Sequence, residues 1–386
     1  MKKEIAIVLS GAIVGGIETA LTNMLNAIDC SKYIITLFTN KRGNPCIGNI
    51  PPEITIINLE DFSLKALFLN NIKHCNIKNA IKDLICYFCI RISKNEFQKV
   101  IYSCKLRSLS QKHYDVAIAY QHTVSMAEVL YSINASKKCV WIHGALLGGS
   151  NPEESYLQCF NLFDKIFCVS RSVKHNIEHF CPAIKCKTDI FYNLLDSNYI
   201  NKSAKNFPVY LGNHEIILCT VGRLGPGKGQ EMIPSVAALL KGAGYNFLWY
   251  LVGDGPCREK IESEIRNKNV SDNVILLGTQ ANPYPYIKAS NIYVQTSYAE
   301  GWCLTVQEAK ILCKPIVTTD LPVMREQFTH MKNGYITTGI SPESLFEGIK
   351  TLIEHPELCE IFVQNLAKEA HDNSSELQKL YNFIDS

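Results

Sequence analysis

The sequence lacks any run of about 18 apolar residues, the length that a membrane-spanning helix needs. It also lacks a strong charge imbalance, since its 386 residues carry a net charge of only +3, too small by itself to indicate a nucleic-acid-binding protein. No low-complexity tract is present. The contents of 47% hydrophobic and 19% charged residues are typical of a globular protein. At ~150 residues per domain, we expect two domains and no nucleic-acid partner.

The cysteines show no framework spacing, although there are 16 of them. In a chain of this length they indicate reduced thiols in a cytoplasmic protein rather than a secreted disulfide scaffold. Cys86 and Cys89 form the one C-x-x-C pair. A zinc site needs about four ligands, and no second close pair completes the set. We therefore expect no metal site.

Buried strands alternate with helical stretches along the whole chain, which predicts βαβ units and parallel sheets. In the first half the predicted strands are 5–9, 33–39, 113–120, 138–142 and 165–169. In the second half they are 215–221, 247–252, 273–277, 291–294 and 315–318. Residues 197–214 are polar and contain Pro208, so they are interpreted as an interdomain linker. The segment from about Pro356 to the end is predicted to be helical.

Residues 62–112 form a basic insert in the first half. They contain ten Lys and Arg residues against Asp83 and Glu96, a net charge of +8, which leaves −5 for the rest of the chain. Apolar clusters such as 67–69 and 85–88 are interleaved with these charges, and one to three amphipathic helices are expected. Two interpretations stay open: a helical cap over the sheet with solvated lysines, or a patch that contacts an anionic membrane surface.

Two glycine-rich turns each follow a predicted strand and precede a predicted helix. The first, residues 11–18, lets the backbone approach a bound group closely, but its spacing is not the dinucleotide fingerprint G-x-G-x-x-G. A tight strand-to-helix turn with a purely structural role stays open as the alternative. The second, residues 222–229, carries Arg223 and Lys228, and two cations at one turn suit a diphosphate. It matches most of a P-loop, but Gly229 replaces the hydroxyl residue that would hold Mg²⁺. We expect a diphosphate site without the metal chemistry of an NTPase.

Residues 297–309 contain two glutamates separated by seven residues, with Glu300 in a loop and Glu308 two turns into the next helix. Fully helical spacing would separate them by ~12 Å, which can span the sugar and ribose ends of one nucleotide sugar. The backbone amides at the start of that helix are placed to stabilise an anion. These amides belong to Trp302, Cys303 and Leu304.

A histidine ends a predicted buried strand in the first half. His143 follows residues 140–142 and precedes Gly144. Ligands of open parallel sheets bind beyond the carboxyl ends of the strands, so His143 is a candidate site residue. The alternative is a buried histidine with an ordinary structural hydrogen bond.

Taken in order, these motifs resemble glycosyltransferase family 4, the group 1 transferases of the GT-B fold. The matching segments span nearly the whole chain and are more specific in its second half. They are 15–18, 142–144, 168–170, 192–193, 222–229, 253–256, 300–308 and 333–334. One departure is Trp302-Cys303, where many members have Phe followed by Gly or Pro.

The resemblance implies a fold class, α/β with two Rossmann-like parallel-sheet domains facing across a cleft. The expected domains are an acceptor-side domain, 1–200, a nucleotide-sugar-binding domain, 201–360, and a C-terminal helix, 361–386, that packs back on the first domain.

The resemblance also implies roles for individual residues. His143, Glu300, Arg223 and Lys228 are the expected catalytic residues, and the diphosphate is neutralised by the last two. Glu300 is expected to contact the donor sugar and Glu308 the ribose. The expected donor-binding set also contains Gly16, Gly301, Trp302, Cys303 and Leu304.

The implied activity is retaining, metal-independent transfer of a sugar from a nucleotide sugar, with UDP favoured over GDP and no cofactor. The acceptor is expected to be a saccharide, lipid-linked in capsule or O-antigen assembly at the inner membrane face. A nucleotide-sugar epimerase or phosphorylase on the same fold, or a non-catalytic partner subunit, stays open as an alternative.

Overall fold

The computed structural model describes residues 2–10, 15–40, 49–62, 81, 96–105, 108–146, 154–210, 212–369 and 373–386. The chain divides into two compact units. Unit 1 comprises Met1–Leu194 together with Ser374–Ser386, and unit 2 comprises Leu195–Asn373. Each unit contains one parallel sheet of its own.

Unit 1 contains a seven-stranded sheet in the order β3-β2-β1-β4-β5-β6-β7. Its strands are β1 (Lys3–Leu9), β2 (Tyr33–Thr39), β3 (Thr55–Asn58), β4 (His113–Ala119), β5 (Asn134–Ile142), β6 (Lys165–Cys168) and β7 (Thr188–Ile190). Strand order reverses between β1 and β4, and the carboxyl ends flanking such a reversal are where doubly wound folds bind ligands.

The helices of unit 1 are α1 (Gly16–Ala27), α2 (Glu96–Lys105), α3 (Val124–Ser132), α4 (Glu154–Phe160) and α5 (Arg171–Phe180). An aromatic cluster fills the core beside β5 and β6. The Trp141 ring lies 4.5 Å from Phe167 and 5.1 Å from Phe191, centroid to centroid. All three side chains are buried, so large apolar rings stabilise the half of the sheet that carries His143.

Unit 2 contains a six-stranded sheet in the order β10-β9-β8-β11-β12-β13. Its strands are β8 (Ile216–Val221), β9 (Phe247–Val252), β10 (Val274–Gly278), β11 (Ile292–Gln295), β12 (Ile316–Thr318) and β13 (Tyr335–Ile336). Strand β9 is buried at every position, as expected for a central parallel strand covered on both faces. The order reverses between β8 and β11, the two strands whose following loops carry the predicted diphosphate and glutamate motifs.

The helices of unit 2 are α6 (Ser197–Ser203), α7 (Ile233–Gly242), α8 (Arg258–Asn267), α9 (Tyr284–Ala289), α10 (Leu304–Ile311), α11 (Pro322–Gln327), α12 (Pro342–Glu354) and α13 (Pro356–Ala367). Helix α14 (Glu376–Asp385) belongs to unit 1. Its Tyr381 ring stacks on Tyr33 at 5.4 Å, and Lys3 Nζ donates to the Ile384 carbonyl at 2.6 Å.

The structure corrects several predicted boundaries. The predicted linker 197–214 contains α6, whose Ile200 packs into the core of unit 2, and the boundary lies after Leu194 rather than at 200. The predicted helix from Pro356 to the end stops at Ala367 and resumes at Glu376. Residues 361–373 therefore belong to unit 2, and only 374–386 belong to unit 1.

Most of the basic insert lies outside the described residues, namely 63–80, 82–95 and 106–107, and this part includes Cys86 and Cys89. Helix α2 is the part that the structure describes as an element, and its Phe97 ring packs edge-on against Tyr156 at 4.9 Å. Across the described parts of the chain, no helix combines the length and the apolar character that crossing a bilayer requires.

Candidate functional site

The turn after β8 brings Lys228 against the end of β11. Gly229 adopts φ 68°, and a Cβ atom there would lie 2.0 Å from the Thr296 carbonyl oxygen. Only glycine fits this contact without a shift of the backbone. Thr296 Oγ1 donates to the Lys228 carbonyl at 2.8 Å, and the Tyr298 amide donates to the Gly227 carbonyl at 2.9 Å. The loops that follow β8 and β11 are therefore joined directly.

Lys228 and Glu300 form an ion pair in which both carboxylate oxygens accept. The Nζ–Oε1 and Nζ–Oε2 distances are 2.7 and 2.9 Å. The Glu300 side chain is 6% exposed, and that of Lys228 is 37% exposed. Burial by itself would lower the pKa of Lys228, but the Glu300 carboxylate outweighs it and the pKa is raised. Lys228 is thus a fixed cation with one side open.

A buried polar network lies behind the Glu300 carboxylate. Ser297 Oγ donates to Glu300 Oε1 at 2.7 Å. Gln295 Nε2 donates to Ser297 Oγ at 2.8 Å and to Glu300 Oε1 at 3.4 Å. Gln295 and Ser297 are both buried, so the carboxylate is held by neutral donors on one side and by Lys228 on the other.

Arg223 is the second cation of the turn, and its surroundings differ from those of Lys228. Its side chain is exposed, and its stem packs against Gly225. Within the described part of the chain, no hydrogen bond or ion pair engages its guanidinium group. Its charge opposes protonation of Lys228, which places the two cations within electrostatic reach of each other. The turn presents an exposed fork donor beside a paired ammonium, an arrangement suited to an anion of two or more charges.

Helix α10 begins directly after the Glu300 loop. Cys303 precedes it in the left-handed conformation, with φ 63°, and the Trp302 carbonyl accepts a hydrogen bond from Gln327 Nε2. The Cys303 thiol is buried and lies 3.6 Å from Thr305 Oγ1. Burial raises the pKa of this thiol to about 12, so it is neutral at the helix start. Gly301 and Trp302 are half-buried in the same loop, and Leu304 is the first helical residue.

Glu308 has an environment opposite to that of Glu300. It is buried on α10, and burial raises its pKa to about 8. Tyr284 OH donates to its Oε1 at 3.4 Å, which lowers the pKa by less than burial raises it. At neutral pH Glu308 is therefore largely a carboxylic acid, whereas Glu300 is paired with an ammonium group. The two predicted glutamates differ in charge as well as in position.

His143 and Gly16 lie in unit 1. His143 follows β5, with its ring 4.9 Å from that of Tyr120, and burial is the largest cause lowering its pKa to about 3. Among the described residues, no group hydrogen-bonds its Nε2. The imidazole is thus neutral at physiological pH. Gly16 is exposed and begins α1, while residues 11–14 of the same turn lie outside the described part of the chain.

Three neighbouring residues were not among the predicted site residues. Gln295 and Tyr284 look like ordinary strand and helix residues in sequence, and only the fold brings them to Glu300 and Glu308. His122 follows β4, and burial lowers its pKa to about 4. It interacts electrostatically with His143, and the spacing of the two histidines in the sequence does not predict this proximity. In the described portions of the chain, no group of three or more His, Cys, Asp or Glu residues is arranged to bind a metal ion.

Residues 202–369 match the family model described as Glycosyl transferases group 1. An uncharacterized glycosyltransferase, MJ1059, of Methanocaldococcus jannaschii is 26% identical over 240 residues, covering 58% of this chain and 57% of that protein. The N-acetylgalactosamine-N,N'-diacetylbacillosaminyl-diphospho-undecaprenol 4-alpha-N-acetylgalactosaminyltransferase of Campylobacter jejuni is 26% identical over 211 residues, covering 54% of this chain and 56% of that protein. The chain thus spans about half the length of these curated relatives.

The fold has solved counterparts. The crystal structure of Anabaena Alr3699/HepE in complex with UDP-glucose superposes with a TM-score of 0.71, at 17% sequence identity, over 99% of both chains. That likeness concerns the fold, and with the two parallel sheets it confirms the predicted fold class, two Rossmann-like domains of the GT-B type.

Proposed function

We propose that this chain, whose residues 202–369 form a group 1 glycosyl transferase domain, moves a sugar from a nucleotide-sugar donor to a saccharide acceptor in surface polysaccharide biosynthesis. The observation that carries the proposal is the Lys228–Glu300 pair, with 2.7 Å between Nζ and Oε1, in the same turn as the exposed Arg223. Both cations follow β8 at the strand-order reversal of unit 2, where open α/β sheets bind their ligands.

The diphosphate is assigned to Arg223, Lys228 and the first amides of α10. The exposed guanidinium of Arg223 offers a forked donor, and Lys228 offers a point charge on its open side. Helix α10 adds the partial positive charge of its N-terminus. When the bond between sugar and diphosphate breaks, negative charge grows on the leaving group, and these groups are already in place to stabilise it. No metal ion is assigned to this role.

The two glutamates and His143 are assigned to the sugar and the ribose. Glu300 is assigned to the hydroxyls of the donor sugar and Glu308 to the ribose. His143 is neutral, so it is available as a hydrogen-bonding group for the donor sugar rather than as a fixed cation. Gly16 is assigned to backbone contact with the donor phosphates. Retention of anomeric configuration and independence from metal are proposed on the resemblance to family 4.

A UDP-sugar is the favoured donor, and a lipid-linked saccharide is the favoured acceptor. The first choice is supported by the UDP-glucose held in the Anabaena structure. The second is supported by the diphospho-undecaprenol substrate in the name of the Campylobacter relative. The basic insert, residues 62–112, is proposed to contact an anionic membrane surface on the strength of its net charge of +8.

A panel of nucleotide sugars tests the proposal. UDP-glucose, UDP-N-acetylglucosamine, UDP-galactose and GDP-mannose are each incubated with the protein while free nucleoside diphosphate and the melting temperature are followed. We expect slow release of UDP and a raised melting temperature with at least one UDP-sugar. If a nucleotide sugar binds but no nucleoside diphosphate is released, even with added saccharide acceptors, the result would favour the alternative of a non-catalytic partner subunit. Conversion of the sugar without an acceptor would favour the epimerase or phosphorylase.

A further inference from the structure

Gln295 occupies the centre of the buried network in unit 2, at the end of β11. Its Oε1 accepts from Tyr293 OH at 3.1 Å and from Thr305 Oγ1 at 3.4 Å. Its Nε2 donates to Ser297 Oγ at 2.8 Å and to Glu300 Oε1 at 3.4 Å. One amide therefore connects the strand, the Glu300 loop and the first turn of α10.

The hydrogen bonds of this network have a single direction. The amide oxygen accepts from Thr305 and from Tyr293, whose single hydroxyl proton it shares with the Val221 carbonyl at 3.3 Å. The amide nitrogen donates onward to Ser297, and Ser297 donates to the Glu300 carboxylate. A hydroxyl has one proton to give, so while Ser297 donates to Glu300 it acts as the acceptor in its contact with Gln295. Successive bonds of this kind polarise one another and strengthen the last one.

An amide is the side chain that this position requires. A carboxylate would present acceptors to Glu300 and repel it, and an apolar side chain would remove the buried N–H donor to Ser297 and Glu300. Gln295 is 3% exposed and Ser297 is fully buried, so water has little access to replace a lost bond.

We infer that Gln295 is a positioning residue, which acts through Ser297 to hold the Glu300 carboxylate, and with it Lys228, in one geometry. Gln295 is assigned no contact with the proposed donor, because it is buried behind Ser297 and Glu300. The effect on turnover rests on the proposed function, whereas the effect on the Lys228–Glu300 pair does not.

Chemical labelling of Lys228 tests the inference without any substrate. Only the deprotonated amine reacts with an N-hydroxysuccinimidyl acetate reagent, and the paired Lys228 is held protonated. Mass spectrometry measures the labelling ratio, which is the acetylation rate of Lys228 divided by that of the exposed Lys332. We expect Glu300→Gln to raise this ratio about tenfold, and Gln295→Met and Ser297→Ala to raise it about threefold each.

Thr220→Val is the matched control for loss of a buried hydrogen bond. Thr220 is buried on the adjacent strand β8, donates to the Val294 carbonyl at 2.7 Å and accepts from Trp249 Nε1 at 3.1 Å, but it is not part of the Glu300 network. We expect no change in Lys228 labelling for this variant. An unchanged ratio in Gln295→Met and Ser297→Ala, while Glu300→Gln raises it, would overturn the inference. So would an unchanged ratio in Glu300→Gln.

A double-mutant cycle tests whether Gln295 acts through Ser297. With UDP-glucose as the probe, we expect Gln295→Met and Ser297→Ala each to lower kcat for UDP release about tenfold with little change in KM. The double variant should be no slower than either single variant. Additive losses would overturn the pathway through Ser297. If the wild-type protein releases no UDP from any donor, the proposed function fails, while the labelling ratios still decide the role of Gln295.

Discussion

Lys228 is paired with Glu300, whereas no group among the described residues pairs with Arg223 of the same turn, and this predicts different costs for removing the two cations. Lys228→Ala leaves the buried Glu300 carboxylate without its counter-ion, whereas Arg223→Ala removes an exposed side chain. Because Lys228 is 37% exposed, the loss should be moderate, about 1–2 kcal/mol. We expect the melting temperature of Lys228→Ala to fall by about 4 °C and that of Arg223→Ala to stay within about 1 °C. Scanning calorimetry measures both melting temperatures, with Lys332→Ala as a surface control. Equal decreases for Lys228→Ala and Arg223→Ala would contradict a stabilising Lys228–Glu300 ion pair.

Glu308 predicts a pH dependence of stability. Its folded pKa of about 8 lies above the ordinary value of 4.5, so the folded state favours the protonated form. The stabilisation from Glu308 is therefore complete below pH 4.5 and is lost as the pH rises through 8. Glu308→Gln keeps the acceptor for Tyr284 and cannot ionise. The melting temperature of the variant minus that of the wild type should increase by about 5 °C between pH 5 and pH 8.5. A constant difference, matching that of the exposed Glu347→Gln control, would show that Glu308 is not buried as a neutral acid.

At the scale of elements, the turn after β8 depends on its glycine contact with β11. Gly229→Ala forces a Cβ atom against the Thr296 carbonyl at 2.0 Å, whereas Gly227, with φ 87°, has open space around the same position. Both substitutions strain a left-handed backbone by about 1 kcal/mol, but only the first displaces Lys228 from Glu300. We expect Gly229→Ala to lower both the melting temperature and the affinity for UDP, and Gly227→Ala to have the smaller effect on each. Calorimetric titration of UDP provides the affinity, and similar losses in the two variants would refute the contact.

The elements that sequence predicted best are long, buried strands. β2 and β9 begin and end at the predicted residues, because a continuous apolar run bounded by polar residues marks a parallel strand covered on both faces. β3, β7 and β13 were missed, since two to four residues at or near a sheet edge carry too short a pattern. The sequence predicts one helix where the structure has two, α13 ending at Ala367 and α14 beginning at Glu376. Both segments have a helical pattern, and what separates them is that they belong to different units.

The candidate site was predictable in part for a related reason. Charged residues on glycine-rich turns identify Arg223, Lys228 and Glu300 from sequence. Their pairing, and the neutral state of Glu308, depend on which loops meet at the strand-order reversal and on burial by other segments. Gln295 gives no signal at all, because a glutamine at the end of a strand is usually a solvated residue.

At the scale of the whole molecule, both ends of the chain build unit 1. Tyr381 of α14 stacks on Tyr33 of β2, and its hydroxyl accepts from the Asp29 amide at 3.1 Å. Tyr381→Ala removes this stack and its hydrogen bond, so we expect a loss of about 3 kcal/mol in stability. Tyr210→Ala, at a site that is 81% exposed, should have almost no effect. Urea denaturation followed by circular dichroism measures both, and equal midpoints would mean that α14 contributes little to unit 1.

Release of nucleoside diphosphate by the whole chain tests the central claim, that Arg223 and Lys228 bind the diphosphate of a nucleotide sugar. The measurement compares wild type, Arg223→Ala and Lys228→Ala, each with the UDP-sugar that gives the fastest release, in buffer containing EDTA. Removing one group that stabilises developing charge costs about 3 kcal/mol, so we expect each variant to be slower by about 10²-fold or more, with the wild-type rate unaffected by the chelator. Near wild-type rates in a folded Arg223→Ala or Lys228→Ala, or a wild-type activity lost in EDTA and restored by Mg²⁺, would contradict the account.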